Sequence, residues 1–199
     1  MSLPLSCKTT LESIPCPGPY LASSPEKIAY WRDKLGKKTA LRVGLTWAGN
    51  PRKYQPDAYA VDRQRSMHFT QLLPLLETET IDFYSLQLGD DAIAQIQGHP
   101  RIIDLTSELH DFDDTAALVS NLDLVICVDT AVAHLAGAIG KPVWLLNRYN
   151  TCWRWLTVRE DSPWYRSMRI FRQPSLGDWS SVIHTVKEAL DQLCSQQQR

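Results

Sequence analysis

The sequence predicts an α/β domain built on a doubly wound, mostly parallel sheet of about six strands. Two observations carry this prediction. Short apolar runs recur along the chain without polar alternation, as strands buried on both faces do. Stretches of helical character separate most of those runs, the pattern of successive βαβ units. The 199 residues are 44% hydrophobic and 22% charged, enough for one full domain with a substantial core.

Taken in order, residues 1–23 are rich in Pro and Ser, lack periodicity, and read as a linker or truncated end. The folded domain is expected over 24–199. Ser24-Pro25-Glu26 has an N-cap followed by Pro at the first helical position, opening a helix that runs to about Gly36. Strands are expected at Leu41–Trp47, Ile81–Gln87, Arg101–Leu105, Asp123–Asp129, Pro142–Leu146 and Met168–Phe171. Helices are expected near His68–Glu77, Asp90–Gln97, Phe112–Asn121, Thr130–Ile139 and Ser180–Cys194. Trp179, Val182, Ile183, Val186, Leu190 and Leu193 fall on one face of the last of these. Such a Rossmann-like sheet binds ligands beyond the carboxyl ends of its strands. That rule points to the segments after Trp47, Gln87, Leu105, Asp129 and Leu146.

Several function classes fall away on composition. With 21 Lys+Arg against 22 Asp+Glu, the net charge of −1 gives no overall drive toward nucleic acid or anionic membrane. No apolar run approaches the ~18 residues of a membrane span. Pro4, Pro15, Pro17 and Pro19 stand where a secretory apolar core would lie. Cys7, Cys16, Cys127, Cys152 and Cys194 are odd in number and form no CxxC pair. Neither a zinc site nor a disulfide framework is expected, and a reducing, cytoplasmic setting fits best. Cys127 reads as a small buried hydrophobe.

Charge is uneven locally. Asp104, Glu108, Asp111, Asp113 and Asp114 form an acidic stretch, whereas Arg148–Arg172 holds six Arg against Glu160 and Asp161. Arg52, Lys53, Arg63 and Arg65 make the loop after the first strand basic as well. Two basic loops at the ligand edge suit an anion such as a diphosphate.

Four motifs stand out. Val43–Pro51 runs from a strand into a turn with Gly49 and Asn50; it has neither GxGxxG nor GxxxxGK[ST]. An NAD-dependent oxidoreductase and a P-loop NTPase are therefore unsupported. At Asp129-Thr130-Ala131 a buried strand passes directly into a small-residue helix, with His134 one turn on. Free amides and the dipole at that helix start favour phosphate; Asp129 as an ordinary cap and His134 as a core residue is the structural alternative. Trp153-Arg154-Trp155 and Pro163-Trp164-Tyr165 either pack a face or line a pocket. Arg65-Ser66 offers a cation and a hydroxyl, or a solvated turn. Asp111-Phe112-Asp113 has the spacing of a metal-binding DxD but leads into a helix cap at Asp114.

In one order, VGLTWAGNP, Arg65-Ser66, Ser85–Gln87, Asp111–Ala116, LDLVICVDTAVAHLAGAIGKPVW and WRWL…EDSPWY…MRIFRQ resemble the C-terminal region of bacterial tetratricopeptide-repeat proteins with a glycosyltransferase family 9-like domain. That is the family of ADP-heptose:lipopolysaccharide heptosyltransferases, and the resemblance covers roughly residues 40–190. It implies one Rossmann-like half of a GT-B fold, the half that binds the nucleotide-sugar donor, in a metal-independent transferase with no cofactor. The donor would be of ADP or UDP type. The acceptor-binding half, and repeats where present, would belong to the same full-length chain, with the isolated domain inactive. By the resemblance, Asp129, Thr130, Ala131 and His134 contact the diphosphate and Arg65 and Ser66 assist. Trp47, Gly49 and Asn50 line the cleft, and Gln87 sits beneath the nucleotide. This chain has Ala131 and Arg65 where heptosyltransferases commonly have Gly and Lys. No catalytic base is assigned. The alternative reading is a non-catalytic nucleotide- or protein-binding module derived from such a domain.

Overall fold

Six strands form one sheet in the order β3-β2-β1-β4-β5-β6, every pair parallel. They are β1 (Leu41–Thr46), β2 (Ile81–Ser85), β3 (Ile102–Asp104), β4 (Leu124–Val128), β5 (Val143–Asn147) and β6 (Met168–Arg172). The computed structural model describes residues 3–197. Its helices are α1 (Leu3–Ser6), α2 (Pro25–Leu35), α3 (Pro56–Arg65), α4 (Asp90–Ile93), α5 (Phe112–Ser120), α6 (Ala131–Ala138) and α7 (Trp179–Gln197).

The inner strands are largely apolar because the sheet is covered twice, whereas the edge strand β3 is half-exposed. Val43, Leu45 and Trp47 point into one layer, shared with Ile126, Phe69, Leu72 and the buried face of α7. Val125, Cys127, Leu145 and Ile170 point into the other, beneath Trp31 of α2, Leu118 of α5 and Ala133 of α6. Burying a side chain such as Leu45, wholly inaccessible here, contributes roughly 1.5–3 kcal/mol. Cys127 is also wholly buried, and burial pushes its thiol pKa up, so it packs as a small hydrophobe.

Local signals placed the helix ends. Ser24 caps α2 by accepting from the Lys27 amide at 3.2 Å, with Pro25 at its first position. Val182, Ile183, Val186 and Leu190 bury one face of α7. The cap of α5 is Asp111 rather than Asp114: the Asp111 carboxylate accepts from the Asp114 amide at 2.7 Å. Lys27 of α2 reaches Asp111, Asp113 and Asp114 together, so the acidic stretch serves to join two helices.

Three helical segments depart from expectation. The expected helix at His68–Glu77 is a 3-10 segment, Phe69–Glu77, because Pro74 lies inside it. The stretch Asp90–Gln97 breaks into α4 and a 3-10 turn, Ala94–Ile96. Helix α3 occupies what the sequence suggests is loop; Asp62 is its one buried residue, so it carries no apolar stripe.

Of the expected linker, residues 3–23 run along the domain. The amides of Tyr20 and Leu21 both donate to the Ala138 carbonyl, at 2.9 and 3.2 Å, and the Ser23 hydroxyl donates to the Asp113 carbonyl. Residues 1, 2, 198 and 199 of the expected linker and domain lie outside the described residues. Among the described residues no helix is long and apolar enough to cross a membrane.

Candidate functional site

The strand order reverses between β1 and β4, which leaves a crevice at their carboxyl ends where doubly wound sheets place ligands. Backbone turns, one helix start and one arginine build its walls.

On the β1 side, Trp47 continues the inward register of Val43 and Leu45. Its side chain is wholly buried and packs on Phe69 with ring centroids 5.1 Å apart, so it belongs to the core and does not line the cleft. Gln87 is buried behind this turn. Its Oε1 accepts from the amides of Trp47 (3.0 Å) and Ala48 (2.8 Å), and its Nε2 donates to the carbonyls of Ala48 and Leu88. All of its amide atoms are thereby committed to fixing the loop. Gly49 donates its N–H to the Ser66 hydroxyl at 2.9 Å. A Cβ there would run into the ends of the Arg65 and Asp62 side chains, so a larger residue would have to displace that pair. Asn50 is exposed further out, its Oδ1 accepting from the Arg52 amide.

Arg65, at the end of α3, spans the crevice. Its Nε donates to Asp62 Oδ1 at 3.0 Å, and its Nη1 donates to the Asp129 carbonyl at 2.8 Å. The guanidinium thus ties the β1 loop to the end of β4 and keeps further N–H groups over the opening. Arg148, just after β5, approaches the same helix, its Nη1 donating to Gln64 Oε1.

On the β4 side, Thr130 is the N-cap of α6, yet its side chain makes no capping bond. Its Oγ1 is screened from solvent and has no partner. A hydroxyl in that state normally finds one. Ala131 is exposed at the first helical position. His134 lies one turn in, half-buried, stacked on Trp155 at 5.1 Å and 22°. Its Nδ1 is 3.0 Å from the Tyr165 hydroxyl and its Nε2 is 3.9 Å from Asp129 Oδ1. Burial raises the Tyr165 pKa, so the phenol stays protonated beside Nδ1. The direction of that bond sets which ring nitrogen carries the proton, and Nε2 faces Asp129.

Burial chiefly, and Arg154 secondarily, lower the His134 pKa, while Asp129 raises it in part. A histidine with a depressed folded pKa binds fewer protons folded than unfolded. Its stability contribution is therefore complete above the ordinary value of about 6.5 and is lost as pH falls below it. Denaturant midpoints measured from pH 7.5 to 5 should fall more steeply for the parent than for His134→Gln. Parallel curves would mean that His134 is not held neutral.

Gly49, Arg65, Ser66, Asp129, Thr130, Ala131 and His134 therefore meet at one crevice. Trp47 and Gln87 stand behind it, and Asn50 stands outside. Asp62, Trp155 and Tyr165 complete it. The i,i+3 spacing of Asp62 and Arg65 is the one signal that could have found Asp62. Among the described residues, no group of three or more His, Cys, Asp or Glu could hold a metal ion.

Residues 86–175, from the end of β2 past β6, match the profile of Glycosyltransferase family 9 (heptosyltransferase). The structure of the E. coli ADP-heptose lps heptosyltransferase II superposes with a TM-score of 0.60 over 94% of this chain, at 17% identity. The two share the Rossmann-like α/β fold. The chain is also 32% identical, over 93% of its length, to Protein FlbA of Caulobacter vibrioides (strain ATCC 19089 / CIP 103742 / CB 15). The chain spans 31% of that relative and 57% of the heptosyltransferase chain. The matched profile includes Asp129 to His134 and Tyr165 but stops short of β1 and Arg65.

Proposed function

We propose that this domain is the donor-binding half of a metal-independent GT-B glycosyltransferase, holding the diphosphate of a nucleotide-sugar at the β1–β4 crevice. The observation that carries the reading is the Thr130 hydroxyl, shielded and without a partner at the start of α6, beside the Arg65 guanidinium. An oxyanion there would meet the free amides and positive dipole end of α6 together with the Thr130 O–H, the His134 imidazole and Arg65. In the transfer step an acceptor oxygen attacks the anomeric carbon and the nucleoside diphosphate departs. Those donors stabilise the charge that grows on the leaving phosphates. The catalytic base belongs to the acceptor half of a longer chain. The E. coli neighbour is an ADP-heptose transferase, which supports a sugar attached to a nucleoside diphosphate; the donor here is of ADP or UDP type. The FlbA match supports a bacterial protein several times longer, within which a repeat scaffold and a cytoplasmic setting belong to this proposal.

The test is calorimetric titration with ADP, UDP and GDP without added metal. One nucleotide is expected to bind selectively, and Thr130→Val and His134→Ala to weaken it about tenfold. That factor is what losing one hydrogen bond to a charged group, about 1.5 kcal/mol, amounts to. Folded variants that bind as tightly as the parent would remove the phosphate from this crevice. A second reading, the non-catalytic module, draws on the 59%-exposed Trp153, packed edge-on against Trp164. Full-length protein that binds no nucleotide would favour it.

A further inference from the structure

The outer edge of β6 carries a second recess, set apart from the crevice by the width of β4 and β5. The chain at 157–160 passes along that edge, with the Ile170 amide donating to the Glu160 carbonyl and an antiparallel bridge between Asp161 and Arg169. Helix α7 closes the other side. Between them lies a space of about 350 Å³ lined by Thr157, Arg159, Arg169, Arg172 and Thr185, with the exposed Glu160 carboxylate also on its wall. That volume lies within the ~300–1,000 Å³ of small-molecule sites.

The three arginines differ in how many N–H groups they leave free. Arg159 is engaged by Asp161, a fork-to-fork pair with both bonds at 2.6 Å. Arg169 lies over the Phe171 ring at 4.5 Å and meets Glu160 only at 3.8 Å, beyond hydrogen-bond reach. Arg172 donates one N–H to the Trp155 carbonyl at 3.1 Å, while its Nη1 is shut off from solvent without any partner. Among the described residues, no carboxylate forms an ion pair with Arg172. Burial accordingly pushes its pKa down, with nothing opposing the shift. A shielded guanidinium nitrogen with neither acceptor nor counter-ion is among the least favourable polar groups to bury, and an anion in the adjoining recess would relieve it.

We infer that the recess between β6, 157–160 and α7 is a second anion site, taking a phosphate group on Arg172, Arg169 and Thr157. A tetrahedral phosphate, with several acceptor oxygens, uses the free N–H groups of two guanidiniums and a hydroxyl at once. A carboxylate has only two oxygens to share among them. The group arrives either as free phosphate or as the phosphate of a small ester whose body rests on Val182. The site does not depend on the donor crevice.

The experiment follows backbone amide resonances of the whole chain during titration with inorganic phosphate, a hexose phosphate and acetate, at matched ionic strength. Saturable shifts are expected for the amides of residues 170–172 and 182–185 with the phosphates. Tighter binding of the ester would identify a phosphorylated metabolite, and equal binding free phosphate. Arg172→Gln should weaken binding at least tenfold. Thr185 is exposed, so Thr185→Asp folds and places a repelling carboxylate at the mouth; it should abolish the shifts. Thr130→Val should leave them unchanged, which separates this site from the crevice. Phosphate shifts confined to the amides of residues 129–134, or acetate acting as strongly as phosphate, would overturn the assignment.

Discussion

Arg65→Met is expected to lose about 3 kcal/mol of stability, read as a fall in the urea midpoint with an unchanged slope. The reason lies beneath the guanidinium. Asp62 is only 5% exposed, and Arg65 Nε at 3.0 Å is its ion-pair partner. Removing one member of a buried pair leaves a charge stranded away from water, which costs about 3–5 kcal/mol when both are fully buried. The Arg65 side chain keeps 23% exposure, which places the expectation at the low end of that range. The strap to the Asp129 carbonyl is lost as well, so the two walls of the crevice come apart. Asp62→Asn combined with Arg65→Met removes the stranded charge and should recover most of the loss. A loss below about 1 kcal/mol for Arg65→Met would mean the pair behaves as a surface ion pair. The double variant also separates two roles: if it is stable yet binds nucleotide as tightly as the parent, Arg65 is a brace and not a phosphate ligand.

The centre of the sheet was legible because its strands are short, largely apolar runs. In β4, Leu124–Val128 are all buried, and each is aliphatic or Cys, so no polar position confuses the pattern. The α6 start was legible for a related reason: Asp129, Thr130, Ala131 and His134 lie within six positions, so locating one strand end located all four. Trp47 shows how a motif can mislead. Its neighbours Gly49 and Asn50 suggested a ligand loop, but Val43, Leu45 and Trp47 share a period of two, the stronger signal, and that period placed it in the core. Helix α3 escaped because its apolar residues, Ala58 to Val61, are consecutive and mark no one face, and Asp62 escaped with it. No local pattern could pair Tyr165 with His134, 31 positions earlier, since only the fold brings them to 3.0 Å.

That long-range contact supports the second large expectation, a net loss of about 2 kcal/mol for Gly137→Ala. In an ordinary helix interior this substitution gains roughly 0.5–1 kcal/mol, because glycine carries the larger entropy cost. Here the added Cβ would stand 2.5 Å from Cγ and 2.7 Å from Cδ1 of Tyr165, whose ring packs against α6 at this position. An aromatic ring 9% exposed has no flexible end to give way, so the overpacking cost sits at the upper end, about 3 kcal/mol. The clash outweighs the propensity gain, and the sign of the measured change decides between them. Displacing the ring also draws the phenol away from His134 Nδ1, freeing the imidazole that the Trp155 stack alone would then hold. Nucleotide affinity should therefore fall along with stability. Tyr165→Phe removes the hydroxyl and keeps the ring, and should weaken binding while costing only about 1 kcal/mol of stability. Should Gly137→Ala bind as the parent does while Tyr165→Phe also binds unchanged, His134 would need no orienting partner, and the crevice would depend on Thr130 and Arg65 alone.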